Sequence, residues 1–290
     1  MIGLGGAHIG DKKKLTDVQS IRLMRAAVDG GITFFDNCWD YNQGLSEERM
    51  GKALLDGYRG RVFLMTKLDG RTAKAATAQL EQSLTRLQTD VIDLVQVHEV
   101  IRMSDPERSF APDGIMGALQ KARKAGKLRY IGFTGHKDPA MHLAMLRAAQ
   151  KANFVFDAVQ MPLNVMDAHY QSFERHVLPV LEKNGIGVLG MKALGAGDIL
   201  KSGIVSAEEC LRYSLSLSTS VVITGIDSDK VLQQSLRVAR TFVPLSPTER
   251  SGLLARTAFV AKNGKHELFK TGQKFDGTAK NPKWLETAEL

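Results

Sequence analysis

The 290-residue sequence has little of what marks a secreted or membrane-bound protein. Its two cysteines, Cys38 and Cys210, are too few for a disulfide framework and fit a reducing compartment. No apolar run approaches the roughly 18 residues of a membrane-spanning helix. The first residues show neither the basic region nor the cleavage site of a signal peptide. With 43% hydrophobic and 24% charged residues, the sequence predicts a globular cytoplasmic protein.

Motifs for nucleic-acid and metal binding are also missing. The net charge is +8, but the basic residues are dispersed, and their one run, Lys12–Lys14, is interpreted as solvated surface. No zinc-finger spacing or RNP-like aromatic motif accompanies them. His8, His98 and His136 have no neighbours at metal-ligand spacing, so no metal site is predicted. The charge favours small anionic ligands over nucleic acid.

Short apolar runs rich in Val, Ile and Phe alternate with longer amphipathic segments. The runs with strand character are Ile2–Gly5, Ile32–Phe35, Val62–Thr66, Val91–Val97, Leu128–Thr134, Phe156–Gln160, Gly185–Gly190 and Val221–Thr224. The helical patterns are Val18–Asp29, Glu47–Leu55, Ala73–Leu87, Ile115–Ala125, Met141–Lys151, Gln171–Lys183, Ala207–Leu217 and Asp229–Arg240. Strict alternation predicts a parallel sheet buried on both faces, and eight units in about 250 residues predict a (β/α)8 barrel.

A doubly wound sheet would also alternate strands and helices, but it usually carries a glycine fingerprint after its first strand. The segment Gly3–His8 has His8 where the third glycine would stand, and Gly195–Leu200 ends in leucine. No phosphate-binding GxxxxGK[ST] motif occurs either. The barrel is therefore the predicted fold.

Three consecutive predicted strands end in a titratable residue. These residues are Asp36, Lys67 and His98, and the intervals between them are equal, 67 − 36 = 31 and 98 − 67 = 31. In such barrels the chemistry lies at the C-terminal ends of the strands. Equal steps predict that the three side chains lie at similar height, and Tyr41 follows closely enough to fold over the same mouth.

This set can transfer a proton to a carbonyl oxygen. A free tyrosine has a pKa near about 10, and an adjacent ammonium such as Lys67 is expected to lower it. Hydride would have to come from a nicotinamide, because protein side chains supply none. Taken singly, Asp36, Lys67 or His98 is more often an ordinary ion pair, cap or surface residue, so the pattern alone leaves both interpretations open.

Four segments resemble motifs of the aldo-keto reductase superfamily. Gly31–Tyr41 (GITFFDNCWDY) resembles the signature GxxxxDTAxxY, and Gly44–Leu54 (GLSEERMGKAL) resembles its continuation. Met65–Lys67 is similar to the strand that carries the family lysine, and Asp93–His98 to the strand that carries the family histidine. The similarity covers nearly the whole chain, and it implies one (β/α)8 barrel domain over residues 1–290.

The resemblance implies that Asp36, Tyr41, Lys67 and His98 form a catalytic tetrad. Tyr41 would be the general acid, Lys67 and Asp36 would tune it, and His98 would orient the carbonyl. The implied reaction is reduction of aldehydes or ketones, or oxidation of alcohols or sugar lactols. The implied partners are a small-molecule substrate and NADPH bound across the barrel mouth without a Rossmann domain; no oligomeric state is implied.

The resemblance also implies where the nicotinamide cofactor is held. Residues after the fifth to eighth strands would contact its carboxamide, pyrophosphate, 2′-phosphate and adenine. The matching positions of this sequence are Thr134, His136, Gln160, Met191, Lys192, Leu194, Gly225, Asp227, Ser228 and Gln234.

One of these positions departs from the family pattern. Asp227 stands where the family loop PGx[KR][ST] has a basic residue that grips the 2′-phosphate of NADP. A carboxylate repels a phosphate and suits a ribose 2′-hydroxyl, which favours NAD(H). Ser228, Lys230 and Arg237 could still contact a phosphate. NADP(H) is favoured modestly by the resemblance, and NAD(H) stays open.

Three segments differ from the simple barrel. The resemblance implies a β-hairpin before the first strand, and we expect it to be missing here because the sequence starts inside that strand. Glu99–Asp113 is long, polar and contains two prolines, so a loop is predicted there. Residues 262–290 lack clear periodicity, and we expect a C-terminal tail that either folds across the mouth or docks loosely.

Two other functions compete with the reductase. One is a cofactor-sensing regulatory subunit with the same fold, although an intact tetrad argues against it. The other is a Schiff-base aldolase that uses Lys67 or Lys192, which would require a lysine with a depressed pKa. Pairing of Lys67 with Asp36 would keep that lysine charged.

Overall fold

The computed structural model describes residues 1–290 and contains a closed barrel of eight parallel strands, paired in sequence order from β1 to β8 and back to β1. The strands are β1 Ile2–Gly5, β2 Phe34–Asp36, β3 Phe63–Leu68, β4 Ile92–Val97, β5 Leu128–Thr134, β6 Ala158–Pro162, β7 Gly187–Met191 and β8 Val221–Gly225. The predicted (β/α)8 barrel is confirmed.

Helices follow the strands and form the outer layer. They are α1 Asp17–Asp29, α2 Leu45–Ala53, α3 Ala73–Leu87, α4 Asp105–Phe110, α5 Ile115–Lys124, α6 Pro139–Lys151, α7 Phe173–His176, α8 Leu178–Lys183, α9 Ala207–Ser216, α10 Asp229–Arg240, α11 Pro247–Thr257, α12 Leu268–Thr271 and α13 Gly277–Lys280. None of them has both the length and the apolar character required to cross a membrane.

The structure corrects two of the predicted elements. The segment predicted as a loop over Glu99–Asp113 contains the six-residue helix α4. The helix predicted over Gln171–Lys183 is broken at Val177 into α7 and α8. Pro179 causes the break, because it has no N–H to donate and its ring clashes with the carbonyl four residues earlier.

The two ends of the barrel differ in chemistry. The N-terminal ends of the strands are filled by apolar side chains, among which Phe34 and Phe63 stack with ring centroids 5.0 Å apart. The same buried cluster also contains Met65, Leu94, Ala158, Leu189, Val221 and Ile223. Polar and charged side chains collect at the opposite end, so the apolar end stabilises the barrel and leaves the other end for binding.

Residues 262–290 pack over the polar end. The backbone amides of Gly277 and Thr278 donate to the carboxylate of Glu99, which follows β4, at 2.9 and 2.7 Å. The Trp284 ring meets Trp39 edge-on at 5.9 Å, and its carbonyl accepts from Gln79 Nε2 at 2.8 Å. These contacts hold the tail against α3 and against the loops that follow β2 and β4.

Candidate active site

The four residues predicted to be catalytic lie at the polar end of β2, β3 and β4. Asp36 is the last residue of β2, Lys67 lies near the end of β3, and His98 directly follows β4. Asp36 is paired with Met65 and Lys67 with Gln96, so each titratable residue lies two positions past the partner of the preceding one. Strands of a barrel are tilted to its axis, and this stagger is how side chains reach a common height.

Lys67 is at the centre of the first group of contacts. Its ammonium is almost fully buried, forms an ion pair with Asp36 and donates to the carbonyl of Asn37 at 2.7 Å. It also lies 3.5 Å from the hydroxyl of Tyr41 and 4.9 Å from the centre of its ring. One buried cation therefore links the carboxylate and the phenol.

The loop after β2 returns Tyr41 to the mouth through a tight turn. Asn42, Gln43 and Gly44 all have positive φ, at 55°, 58° and 85°. Asparagine and glycine tolerate this left-handed backbone better than most residues. The amide of Ser46 donates to the carbonyl of Tyr41 at 3.3 Å, which closes the turn as α2 begins.

His98 is held by a carboxylate that the sequence analysis missed. Its Nδ1 lies 2.7 Å from Oδ1 of Asp69, a fully buried residue directly after β3. The guanidinium of Arg71 in turn donates to the Asp69 carbonyl at 2.8 Å. The sequence did contain a signal for Asp69. Residues two apart along a strand face the same side, so Asp69 is expected on the same side as Lys67. The Nδ1 contact fixes the orientation of the ring beside Tyr41, whose ring centre is 6.1 Å away.

The expected lowering of the Tyr41 pKa is wrong for this site. Burial raises the pKa of Tyr41 well above its ordinary value, and the charge of Asp36 raises it further. Lys67 contacts Asp36 more closely than it contacts Tyr41, so its charge mainly compensates the carboxylate. Burial also lowers the pKa of His98. Tyr41 is thus protonated and His98 neutral at physiological pH.

A cavity of about 420 Å³ opens beside these residues. Asp36 and Tyr41 line it, whereas Lys67 and His98 do not. Seven of the predicted cofactor positions line it as well, namely Gln160, Met191, Lys192, Leu194, Gly225, Asp227 and Gln234. The cavity therefore joins the ends of β1, β6, β7 and β8 to the predicted proton donor.

Three of the predicted cofactor positions lie outside that lining. Thr134 contacts the Met191 sulfur at 3.9 Å, and the Ser228 side chain accepts from the Val231 amide as the N-cap of α10. His136 Nε2 lies 3.0 Å from Asp276 of the tail. The side chains of Ser228 and His136 are therefore engaged by groups of the protein, the amide of Val231 and the carboxylate of Asp276.

The loop after β7 offers unoccupied donors to the cavity. Lys192, Gly195, Ala196 and Gly197 have positive φ, between 56° and 91°. The backbone amides of Leu194 and Ala196 donate to no acceptor in the protein, and both residues line the cavity. Lys192 lies over the Phe275 ring at 4.2 Å, and burial lowers its pKa to about 8. Free backbone amides close together in a loop form anion-binding concavities, although the Gly195 amide between these two donates to the Lys192 carbonyl.

Gln160 connects the cavity to Asp36, the ion-pair partner of Lys67. Its Nε2 donates to Asp36 Oδ2 at 2.8 Å, while its Oε1 is buried without a partner. The carbonyl of Gln160 accepts from Nε2 of His142, a fully buried histidine of α6. The orphaned amide oxygen is an acceptor available to a bound molecule.

Asp227 has a partner that the sequence analysis assigned to the solvated surface. Lys14 Nζ lies 3.0 Å from Asp227 Oδ2, and both residues line the cavity. They are 213 positions apart in sequence, so only the closure of β8 against β1 brings them together. A cation therefore stands beside the carboxylate that occupies the usual basic position.

Comparison of sequences gives a consistent set of relatives. The family model described as "Aldo/keto reductase family" matches residues 1–207. "Aldo-keto reductase AFTS1" of Alternaria alternata is 30% identical over 239 residues, covering 68% of this chain and 62% of that protein. "Aldo-keto reductase YhdN" of Bacillus subtilis is 34% identical over 201 residues, covering 64% of this chain and 54% of the Bacillus protein. The chain thus spans less than two thirds of these relatives.

Solved structures of the same fold are also found. The holo form of aldo-keto reductase AKR11C1 from Bacillus halodurans superposes with a TM-score of 0.72 at 22% identity, over 91% of this chain and 94% of that one. An aldo/keto reductase of Klebsiella pneumoniae, solved with NADP and acetate, superposes with a TM-score of 0.70 at 24% identity. The superposition covers 89% of this chain and 91% of that one. Identities this low establish the fold, and the family match covers most of the chain. The chain belongs to the aldo/keto reductase family.

Proposed function

We propose that this protein is an NAD(P)H-dependent oxidoreductase that reduces aldehyde or ketone carbonyls to alcohols, or runs the reverse reaction. The observation that carries the proposal is the arrangement of Asp36, Lys67, Tyr41 and His98 at the edge of a cavity with unpartnered donors and acceptors. Membership of the aldo/keto reductase family supports the same chemistry.

The cavity residues fit a nicotinamide dinucleotide. The free amides of Leu194 and Ala196, with Lys192 in the same loop, suit a pyrophosphate. The unpartnered Oε1 of Gln160 suits the amide donor of a carboxamide. The cofactor would supply the hydride that no side chain can provide. The NADP in the Klebsiella pneumoniae structure supports this assignment.

Tyr41 donates the proton in the proposed reduction. As negative charge develops on the carbonyl oxygen, that oxygen becomes a far stronger base than a phenolate, so transfer from Tyr41 is favourable even with its raised pKa. Lys67, 3.5 Å from the hydroxyl, stabilises the phenolate that forms. Asp36 forms an ion pair with Lys67 and holds the ammonium in place within the buried site.

His98 orients the substrate oxygen in this scheme. With Nδ1 turned to Asp69, the second ring nitrogen is left for another hydrogen bond. Burial raises the pKa of Asp69 well above its ordinary value, so its carboxyl group can keep a proton and donate it to Nδ1. The neutral imidazole then carries its own proton on the second ring nitrogen, which donates to the substrate carbonyl. Asp69 is thus a positioning residue that acts through His98.

The cofactor preference that we propose is NADP(H). Asp227 alone would favour NAD(H), but Lys14 lies beside it and supplies the cation that the loop after β8 lacks. A 2′-phosphate would attract Lys14, whereas a 2′-hydroxyl would donate to Asp227. Both side chains are partly exposed, so the discrimination between the cofactors should be modest.

Loss of absorbance at the nicotinamide band tests the function directly. Purified protein is mixed with an activated aromatic aldehyde and with NADPH and NADH in parallel. Oxidation of either cofactor supports the reductase, and the ratio of kcat/KM values gives the preference. Cofactor binding without turnover of any aldehyde or ketone would favour the regulatory subunit instead.

A second candidate function is favoured by the lowered pKa of Lys192. A lysine with a pKa of about 8 is partly neutral near physiological pH and can attack a carbonyl to form an imine. Incubation with a carbonyl substrate and borohydride would then add a stable mass to the protein. If the adduct forms and is lost in Lys192→Arg, the aldolase is supported; an unchanged mass removes it.

A further inference from the structure

We propose that Cys38, Asp40, Asp69 and His98 form a binding site for a divalent transition-metal ion of the zinc class. The site shares His98 with the predicted catalytic residues and adds Cys38, Asp40 and Asp69 to it. It does not depend on the reductase activity.

The four side chains offer one ligand atom each, and these atoms all lie within 4.8 Å of one another. His98 Nδ1 is 2.7 Å from Asp69 Oδ1, 3.2 Å from Cys38 Sγ and 3.8 Å from Asp40 Oδ1. A tetrahedral ion with bonds of about 2.0 to 2.3 Å needs ligand atoms roughly 3.3–3.8 Å apart. The observed separations lie between 2.7 and 4.8 Å and bracket that range, so side-chain shifts of up to about 1 Å would admit the ion.

The chemistry of the ligands selects the class of metal. A thiolate and an imidazole favour zinc and its neighbours, whereas magnesium and calcium prefer sites built from oxygen alone. Two carboxylates complete a four-ligand set without requiring water. Coordination would release to solvent the thiol proton of Cys38 and the proton that His98 Nδ1 shares with Asp69.

Unpartnered oxygens within the set give independent support. Asp40 Oδ1 is buried without a hydrogen-bond partner, and it is the oxygen that faces His98. Asp69 is fully buried, and its Oδ2 has no partner either. Buried carboxylate oxygens are costly unless a hydrogen bond or a cation compensates them. The nearby carboxylate of Glu99 is already engaged by Gly277 and Thr278.

Hydrogen bonds fix the backbone around the proposed ligands. The amide of Cys38 donates to Oδ1 of Asn37 at 2.9 Å, and the amide of Trp39 donates to the carbonyl of Lys67 at 3.0 Å. Arg71 braces the carbonyl of Asp69. Such outer contacts orient ligands and raise metal affinity. A bound ion would tie the loop that carries Tyr41 to the ends of β3 and β4.

Metal binding to the full-length, chelator-treated protein tests the proposal without any turnover. Zn²⁺ is titrated against a competing indicator dye, and Co²⁺ is used as a spectroscopic probe of thiolate coordination. Cys38→Ser is compared with Cys210→Ser, because Cys210 is the other buried cysteine and lies outside the cluster.

We expect one ion per chain in the wild type and in Cys210→Ser, with a thiolate-to-Co²⁺ charge-transfer band and a raised melting temperature. Cys38→Ser should lose the band and bind Zn²⁺ at least about tenfold more weakly. Asp40→Asn serves as a second variant should Cys38→Ser misfold by circular dichroism, and it should weaken Zn²⁺ binding in the same way. Absence of binding by the wild type, or binding that neither substitution changes, would overturn the site.

Discussion

The two sides of the barrel mouth differ in how their buried charges are compensated. On the Lys67 side, one ammonium serves Asp36, the Asn37 carbonyl and the Tyr41 hydroxyl, and Gln160 takes the second oxygen of Asp36. On the His98 side, Asp40 and Asp69 surround a single imidazole and keep buried oxygens without partners. A carboxylate with both oxygens engaged, as in Asp36, holds one geometry, whereas buried carboxylates with unpartnered oxygens are poised to accept a cation. The first side therefore suits proton donation and the second suits binding and orientation.

The largest expected effect comes from removing the hydroxyl on the Lys67 side. Tyr41→Phe should lower kcat by about 10²–10⁴-fold, the usual contribution of a general acid, with the dissociation constant for NADPH nearly unchanged. Tyr58→Phe is the control, because its hydroxyl bonds Asp29 at the surface. Steady-state rates and cofactor titration check both variants, and equal turnover in Tyr41→Phe would remove Tyr41 from its role.

His142 makes the stability of the Lys67 side depend on pH. Burial lowers its pKa from 6.5 to about 4, so the folded state keeps it neutral while the unfolded state protonates it. The unfolded state therefore binds more protons between about pH 6.5 and 4, and stability falls as pH falls through that window, by up to about 3 kcal/mol from this group.

Urea unfolding at several pH values checks this prediction. In His142→Gln the loss of stability between pH 6.5 and 4 should be shallower than in the wild type. The exposed His176 gives the control variant His176→Gln, which should keep the wild-type slope. Identical slopes in all three proteins would show that His142 is not held neutral.

On the His98 side, Asp69→Asn should reduce kcat by about tenfold in chelator-treated protein. The asparagine side chain has the same shape as aspartate, but its amide makes a weaker hydrogen bond to Nδ1 of His98. Losing a hydrogen bond that orients a functional histidine typically costs about tenfold or more in activity. The melting temperature and the NADPH dissociation constant are measured beside kcat. A fall in stability or cofactor affinity with kcat unchanged would assign Asp69 a structural role only.

The smallest expected effect concerns the cofactor rather than the chemistry. Asp227→Lys should raise the kcat/KM ratio of NADPH to NADH by about fivefold, and Lys14→Ala should lower it, since single charges at this exposure are worth about 1 kcal/mol. Asp229→Lys is the control, because Asp229 pairs with Arg22 at the surface. Equal ratios in Asp227→Lys and wild type would place the 2′-phosphate elsewhere.

The repeating pattern made the barrel predictable, and with it the positions of Asp36, Lys67 and His98 at one end of the barrel. Strands and helices were recognisable from local periodicity, and Asp36, Lys67 and His98 recur at equal intervals at the strand ends. The predicted bounds of β5, α3 and α10 match those observed. The local sequence pattern was therefore sufficient to predict strands and helices wherever one βα unit of the barrel repeats the previous one.

Contacts between distant segments were not predictable in the same way. Lys14 meets Asp227 only because β8 closes on β1, and His136 meets Asp276 only because the aperiodic tail returns to the mouth. The pKa of Tyr41 was expected to fall and instead rises, because burial and Asp36 outweigh Lys67. The balance between burial and neighbouring charges depends on distances in the folded protein, which cannot be read from the sequence.

Isotope transfer tests the central claim most directly. Wild type and Tyr41→Phe are given an aldehyde and NADPH carrying deuterium at the transferred position of the nicotinamide, and the alcohol is analysed by mass. The account predicts one deuterium on the carbinol carbon in the wild type, and the same product formed at least about 100-fold more slowly by the variant. An alcohol without deuterium, or equal rates for the two proteins, would contradict it.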